Sequence, residues 1–334
     1  MGVARWLRSP LALVLLAGLA LRVAAMIGYQ PAYLAFSDTH AYVLDAADLG
    51  EAFAIDAPLR PYGYAIFLAG VASVSQTVTA VVVVQHLLGL ATAALLYATV
   101  LRLGGPRWAA VASAAVVALV PDFVLFEHAL LTEAPFLFLV TAAGYATARG
   151  VQESALERRP RTWIAWLAAA GALVALAATF RAVGQVLVPV FVVIAAIAVR
   201  GDIARRLGRL GVAAAPSLAG AAVLLGYGAL MSAHGGYFGL ASSDGWAIYG
   251  RTGPIADCTR FEPPPGTERL CERTPPDRRP GSDFYGWDPE SPARELFVGP
   301  PAGDELLARF GREVVTHQPL DYAKLVLTDL AIRR

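Results

Sequence analysis

Charge is what this sequence has least of. Only 16% of its 334 residues are Asp, Glu, Lys or Arg, while 57% are hydrophobic, and the mean hydropathy is +0.54. A soluble domain averages about 25% charged and about 45–50% apolar residues. A soluble single domain is therefore excluded, and disorder, coiled coil and collagen fall with it. Lysine is almost missing: Lys324 stands alone, and the other basic residues are arginine. With the abundant alanine, that composition reads as a GC-rich bacterial genome. Cysteine is scarce too, with only Cys258 and Cys271. There is no P-loop, no Gly-x-Gly-x-x-Gly, no His-Glu-x-x-His and no long internal repeat. The formal net charge of +1 does not itself decide about nucleic acid, and no nucleic-acid partner is expected.

The few charges are unevenly placed. Residues 1–243 carry 15 Arg and 11 Asp or Glu, and the last 91 residues hold 27 of the 53 charges. The division predicts a transmembrane domain over 1–231 and a water-exposed segment over 232–334.

A helix needs about 20 mostly apolar residues to cross a bilayer. Seven stretches qualify, at 10–29, 78–101, 108–126, 130–148, 162–180, 182–199 and 210–231. The first, preceded by Arg5 and Arg8, has the outline of a signal peptide. The poor cleavage site at Ala24-Ala25-Met26 favours an uncleaved helix instead. Arg22 near its outer end is expected to snorkel or to pair. The charge-free run 64–101 divides at Ser73, Ser75, Gln76 and Thr77, which predicts an interfacial helix over 62–75 before the second span. The expected fold is thus an all-α polytopic membrane protein with about seven transmembrane helices, interfacial helices in the first outer loop and a loop-rich C-terminal segment.

Orientation follows from arginine. Alternate loops hold 12 Arg against three acids, and the opposite loops hold Arg60 and Arg181 against eight acids. The N-terminus is therefore expected in the cytoplasm, with the acidic loops and the tail outside. The tail is rich in Gly and Pro. Cys258 and Cys271 bracket 12 residues there, and a disulfide fits an oxidising compartment. Free thiols and a zinc site are the alternatives, the zinc site lacking half its ligands. Leu306, Leu307, Phe310 and Val314, then Leu320, Leu325, Leu327 and Leu330, predict amphipathic helices over 303–330 lying on the membrane.

The candidate chemistry lies in the outer loops. Ser37 or Asp38 is placed to cap a helix that continues through Tyr42 and Asp45. A carboxylate at a helix N-terminus stays ionised and suits a general base; a plain capping role is the alternative. Glu133, followed by 15 uncharged residues, sits at a span mouth, where an ionisable group is a functional candidate. A tight hairpin with Glu127, His128 and Glu133 all facing water is the competing reading, and a lone His128 reads as a surface residue. Arg181, the only charge in 162–199, breaks the positive-inside pattern. With Arg60 it is a candidate phosphate clamp, or else a snorkelling residue. His86, within an apolar span, reads as a packed, hydrogen-bonded histidine. A base, a second acid and two arginines on one face are what group transfer from a membrane-anchored phosphate donor requires.

Four stretches carry a family likeness: Phe36-Ser37-Asp38-Thr39-His40-Ala41-Tyr42, Arg60-Pro61-Tyr62-Gly63-Tyr64-Ala65-Ile66-Phe67, Leu130-Leu131-Thr132-Glu133-Ala134-Pro135-Phe136 and Arg181-Ala182-Val183-Gly184. In this order they resemble segments of the GT-C membrane glycosyltransferases, the group that includes protein O-mannosyltransferases (glycosyltransferase family 39-like) and the lipid A aminoarabinose transferase. Over about residues 10–230 the order and sidedness of helices are similar as well. The resemblance implies a mannosyltransferase-like enzyme in a bacterial plasma membrane. Its donor would be a polyprenyl-phosphate sugar, its acceptor a protein, lipid or glycan, and its active site extracytoplasmic. Asp38 would be the base, Glu133 the second acid, and Arg60 and Arg181 the phosphate contacts, with His40, Tyr64 and His128 in support. Some members hold a divalent cation, for which His40 or His128 would be ligands here. Ala65 replaces a proline of the family pattern. Family members also carry further spans after the large outer segment, so the end at Ile332-Arg333-Arg334 implies a C-terminally truncated chain. A transporter would need polar groups in mid-span or broken helices with repeat symmetry. A non-catalytic assembly subunit acting through its tail is the other alternative.

Overall fold

The computed structural model describes residues 9–34, 36–53, 58–156, 160–200, 202–235 and 238–332. Among these, every regular element is a helix, and the only β-pairing is an isolated bridge between Tyr33 and Ala129. The chain divides into two compact units, the first holding residues 1–55 and 61–240, the second 56–60 and 241–334.

The first unit is built on α1 (Pro10–Gly28), α2 (Ser37–Ala47), α3 (Leu49–Phe53), α4 (Gly63–Ala72), α5 (Val78–Arg102), α6 (Arg107–Leu119), α7 (Pro121–His128), α8 (Glu133–Ala155), α9 (Pro160–Phe180), α10 (Gly184–Ala198) and α11 (Asp202–Gly235). Ser9 and Thr77 accept backbone N–H bonds at the starts of α1 and α5, the usual means of starting a helix. Helix α9 is central and packs on α8, α10 and α11, while α5 packs on α6 and α8 and α1 lies on α6. Only 17% of the apolar stretch of α1 is buried within the protein. Leu13, Leu16, Leu19, Val23 and Ile27 face outward, and apolar surface on that scale calls for lipid.

The chain is thus an all-α polytopic membrane protein, but the seven expected spans do not all appear. Four helices among the described residues are long and apolar enough to cross a bilayer: 10–28, 78–102, 161–180 and 208–234. A fifth candidate is the pair α6 and α7, which bend by 47°. The expected span over 108–126 is broken there because extended Val120 leads into Pro121, which starts a new helix. Helix α8 is long enough at 23 residues but carries Glu133, Arg149 and Glu153. Helix α10 has 15 residues with Pro189 inside, about 22 Å at the usual rise. In α11, Gly208 adopts φ 68° and splits an N-terminal piece from the apolar part. The interfacial helix expected over 62–75 is α4.

The second unit contains α12 (Asp244–Thr252), α13 (Ser282–Trp287), α14 (Pro292–Leu296), α15 (Asp304–His317) and α16 (Pro319–Ile332), with short 3-10 turns between. The helices expected over 303–330 are α15 and α16, but α15 does not lie on a membrane by its apolar face, because that face is buried within the second unit. Leu307, Phe310 and Val314 of α15 meet Trp246, Tyr249 and Tyr285 in an aromatic core. Asp304 Oδ1 accepts from the backbone N–H groups of Gly245 and Trp246, and burial raises its carboxyl above the usual range. Cys258 and Cys271 are joined by a disulfide.

Candidate active site

Asp38 lies in the first turn of α2, half-buried. The helix starts one residue earlier than capping by Ser37 or Asp38 would place it. Phe36 holds the cap position in an extended conformation and makes no side-chain capping bond. The Phe36 ring packs against Tyr33 at 5.5 Å and Phe126 at 6.4 Å, which fixes the entry. In the first turn the helix dipole still favours a carboxylate. Next to it, buried Thr39 donates its hydroxyl to the Leu130 carbonyl at 3.3 Å. His40 is exposed. Tyr42 is buried edge-on against Tyr64, centroids 5.0 Å apart.

Glu133 opens α8, and Arg181 follows the end of α9. The two form an ion pair through Arg181 Nη1, which also donates to Thr132 Oγ1 at 3.0 Å. Both remain partly open to solvent, at 41% and 32% of the side chain. A guanidinium carries five N–H donors, and these two bonds use one nitrogen. To the water-facing and snorkelling alternatives this arrangement adds a partner for each residue. Gly63, from the second motif, holds α4 against Thr179 two residues before Arg181. A Cβ at Gly63 would come within 2.4 Å of the Thr179 carbonyl oxygen.

The segment 127–133 leads to Glu133, and its backbone is held from several sides. Gln85 Nε2 donates to the carbonyls of Glu127 (2.9 Å) and Ala129 (2.7 Å), while Tyr64 donates its hydroxyl to Gln85 Oε1 at 2.7 Å. Tyr64 and Gln85 are fully buried. Tyr33 N donates to the His128 carbonyl at 3.0 Å.

A buried charge cluster supports the same segment. Arg22 grips Glu127 in a two-pronged pair, Nε to Oε2 at 2.7 Å and Nη2 to Oε1 at 2.6 Å. Its remaining N–H groups donate to the carbonyls of Gly18, Ala118 and Val117, so all five donors are used. His86 Nδ1 lies 2.9 Å from Glu127 Oε2, and His86 Nε2 lies 3.2 Å from His128 Nδ1. His128 Nε2 donates to the Tyr29 carbonyl at 2.7 Å. Gly89 makes room for the Glu127 carboxylate, since a Cβ there would sit 1.8 Å from Oε1.

Arg22 therefore pairs rather than snorkels, and His86 is the packed, hydrogen-bonded residue expected. His128 corrects the sequence reading: it is buried at 4% exposure, because a turn between two buried carbonyl-rich helix ends draws in a polar partner. Glu127 and Gln85 are the residues that sequence reasoning missed as parts of one constellation. The available signal was a Gln-His pair in a run without charge, since polar groups in an apolar span need partners.

Arg60 belongs to the second unit and is half-buried. For a divalent cation the described residues offer no group of three or more His, Cys, Asp or Glu side chains able to hold one. His128 is committed to His86 and Tyr29. The described residues therefore do not fit a divalent cation.

Residues 70–216 match the family model described as dolichyl-phosphate-mannose-protein mannosyltransferase. Searches of curated proteins and of solved structures found no match. The matched stretch runs from α4 into α11 and contains Glu133 and Arg181. It supports a membrane glycosyltransferase of the mannosyltransferase type, in agreement with the GT-C likeness.

Proposed function

We propose that this chain transfers a sugar from a polyprenyl-phosphate carrier to an acceptor hydroxyl on the extracytoplasmic face of a bacterial plasma membrane. One observation carries the reading beyond the family match: an acid–arginine pair at the mouth of α8, tied by a buried segment to the helix that bears Asp38. In this reaction Asp38 takes the proton of the acceptor hydroxyl as its oxygen attacks the anomeric carbon. The bond from that carbon to the phosphate oxygen breaks, and the polyprenyl phosphate leaves with the electron pair. Arg181 meets the growing phosphate charge through the donors its Glu133 and Thr132 bonds leave over. Glu133 holds the guanidinium in place. The arginine-rich loops support an extracytoplasmic site.

Membranes containing the chain, incubated with polyprenyl-phosphate sugars labelled in the sugar, test the reading. Label moving onto protein, lipid or glycan supports transfer and identifies the acceptor. Retention of every label on its carrier, with the chain folded, contradicts it.

A further inference from the structure

Three buried side chains outside the proposed reaction share a proton count that their geometry does not leave free. The series runs from the Tyr29 carbonyl through His128, then His86, to Glu127 Oε2, with contacts of 2.7, 3.2 and 2.9 Å. Each contact needs one proton. The carbonyl only accepts, so His128 Nε2 carries a proton. If His128 is neutral, its Nδ1 accepts, and His86 must donate from Nε2. His86 Nδ1 then faces a carboxylate and must donate as well, which makes His86 an imidazolium. If instead His86 is neutral and donates to Glu127, His128 must donate from both nitrogens. Two neutral rings and a carboxylate hold two protons, one short of the three contacts.

Arg22 donates to both carboxylate oxygens of Glu127, so the place for the third proton is on the rings. The titratable and charged groups facing this series are Arg22 from α1, Glu127 and His128 from α7, and His86 from α5. The Tyr29 ring also lies edge-on to His128.

We propose that His86 and His128 share one bound proton that clamps the segment 127–133, making Arg22, His86, Glu127 and His128 positioning residues for Glu133 and Arg181. The clamp joins the end of α1, the middle of α5 and the end of α7. Glu133 lies five residues beyond His128 on a backbone that Gln85 and Thr39 also hold. Losing the proton as pH rises removes one of the three contacts and loosens the turn that presents Glu133. The clamp is thus complete on the acid side and lost toward the alkaline side. Its role in catalysis rests on the proposed glycosyl transfer; the proton itself does not.

The protein, labelled with 15N-histidine and held in nanodiscs, gives the direct test, because imidazole nitrogen shifts report tautomer and charge. Signals are assigned by His86→Asn and His128→Gln, whose amides keep the bonds to Glu127 and Tyr29 without an added proton. The expected result is one imidazolium shared by residues 86 and 128 at neutral pH, which either substitution abolishes. Both rings neutral at neutral pH would overturn the clamp, whether or not the chain transfers sugar. In the transfer assay His86→Asn should lower kcat by about tenfold or more with KM little changed, and should erase the alkaline limb of the wild-type profile. An imidazolium without that split would contradict the positioning role and leave the proposed reaction standing. Absence of transfer by the wild type would contradict the reaction and leave the proton intact.

Discussion

Glu127 is the residue on which most of the buried charge depends. Its carboxylate balances Arg22 at 1% and 4% side-chain exposure. Removing one partner of such a pair leaves an uncompensated charge in an apolar interior, at a cost of about 3–5 kcal/mol. Glu127→Ala should therefore lower the thermal midpoint of the detergent-purified protein sharply, as followed by size-exclusion after heating. Gly89→Ala should do the same in smaller measure, because the new Cβ occupies the place of Oε1. A wild-type midpoint in Glu127→Ala would show that the pair is not where the stability of this region lies. Asp257 makes a prediction about pH. Its carboxylate accepts from the Thr259 hydroxyl (2.7 Å) and N–H (3.0 Å), which hold its pKa below the ordinary 3.8. The sign is that of a depressed acid: the contribution is present above 3.8 and is lost as pH falls through the folded-state value. The stability gap between wild type and Asp257→Asn should shrink on acidification below that point, read by tryptophan fluorescence melts. A gap constant from neutral pH to pH 3 would argue against it.

Among the elements, the loop between Cys258 and Cys271 is the clearest case of a sequence feature with a mechanical role. The two residues are 13 apart and bonded, and closing a loop of that size removes about 3 kcal/mol of unfolded-chain freedom. Reduction, or Cys258→Ser with Cys271→Ser, should lower the unfolding midpoint of the aromatic cluster around Trp246 and Tyr285 while leaving the transmembrane helices folded. Far-ultraviolet dichroism with tryptophan fluorescence separates the two; a fluorescence midpoint that does not move would contradict a stabilising role. Sequence periodicity located most helices, since apolar runs of span length and amphipathic spacing are local signals. It missed the break at Val120, where helix propensity yields to the Pro121 start. It also misplaced the start of α2, because the cap position of Phe36 depends on ring contacts with Tyr33 and Phe126.

At the scale of the whole molecule, the low charge content was legible as membrane embedding, and the four motifs as a glycosyltransferase likeness that the family match over 70–216 supports. The candidate residues were legible by type: Asp38 at a helix start, Glu133 at the head of an uncharged run, Arg181 out of the charge pattern. Their pairing was not. Arg181 and Glu133 are 48 positions apart, and Arg22 and Glu127 are 105 apart. No local periodicity encodes contacts of that separation. They arise when α1, α5, α7, α8 and α9 pack together, and the buried polar groups must then find one another.

Removal of the acceptor proton by Asp38 is the step on which the proposed sugar transfer depends. It is tested most directly in proteoliposomes with a polyprenyl-phosphate sugar that the wild type consumes, comparing Asp38→Asn with Asp122→Asn, a change at an exposed residue of α7. A positioned base contributes about 10²–10⁴ in rate. Asp38→Asn should lose a factor of that size in kcat, with donor binding and thermal midpoint unchanged, while Asp122→Asn should retain wild-type transfer. Wild-type turnover by Asp38→Asn would contradict it.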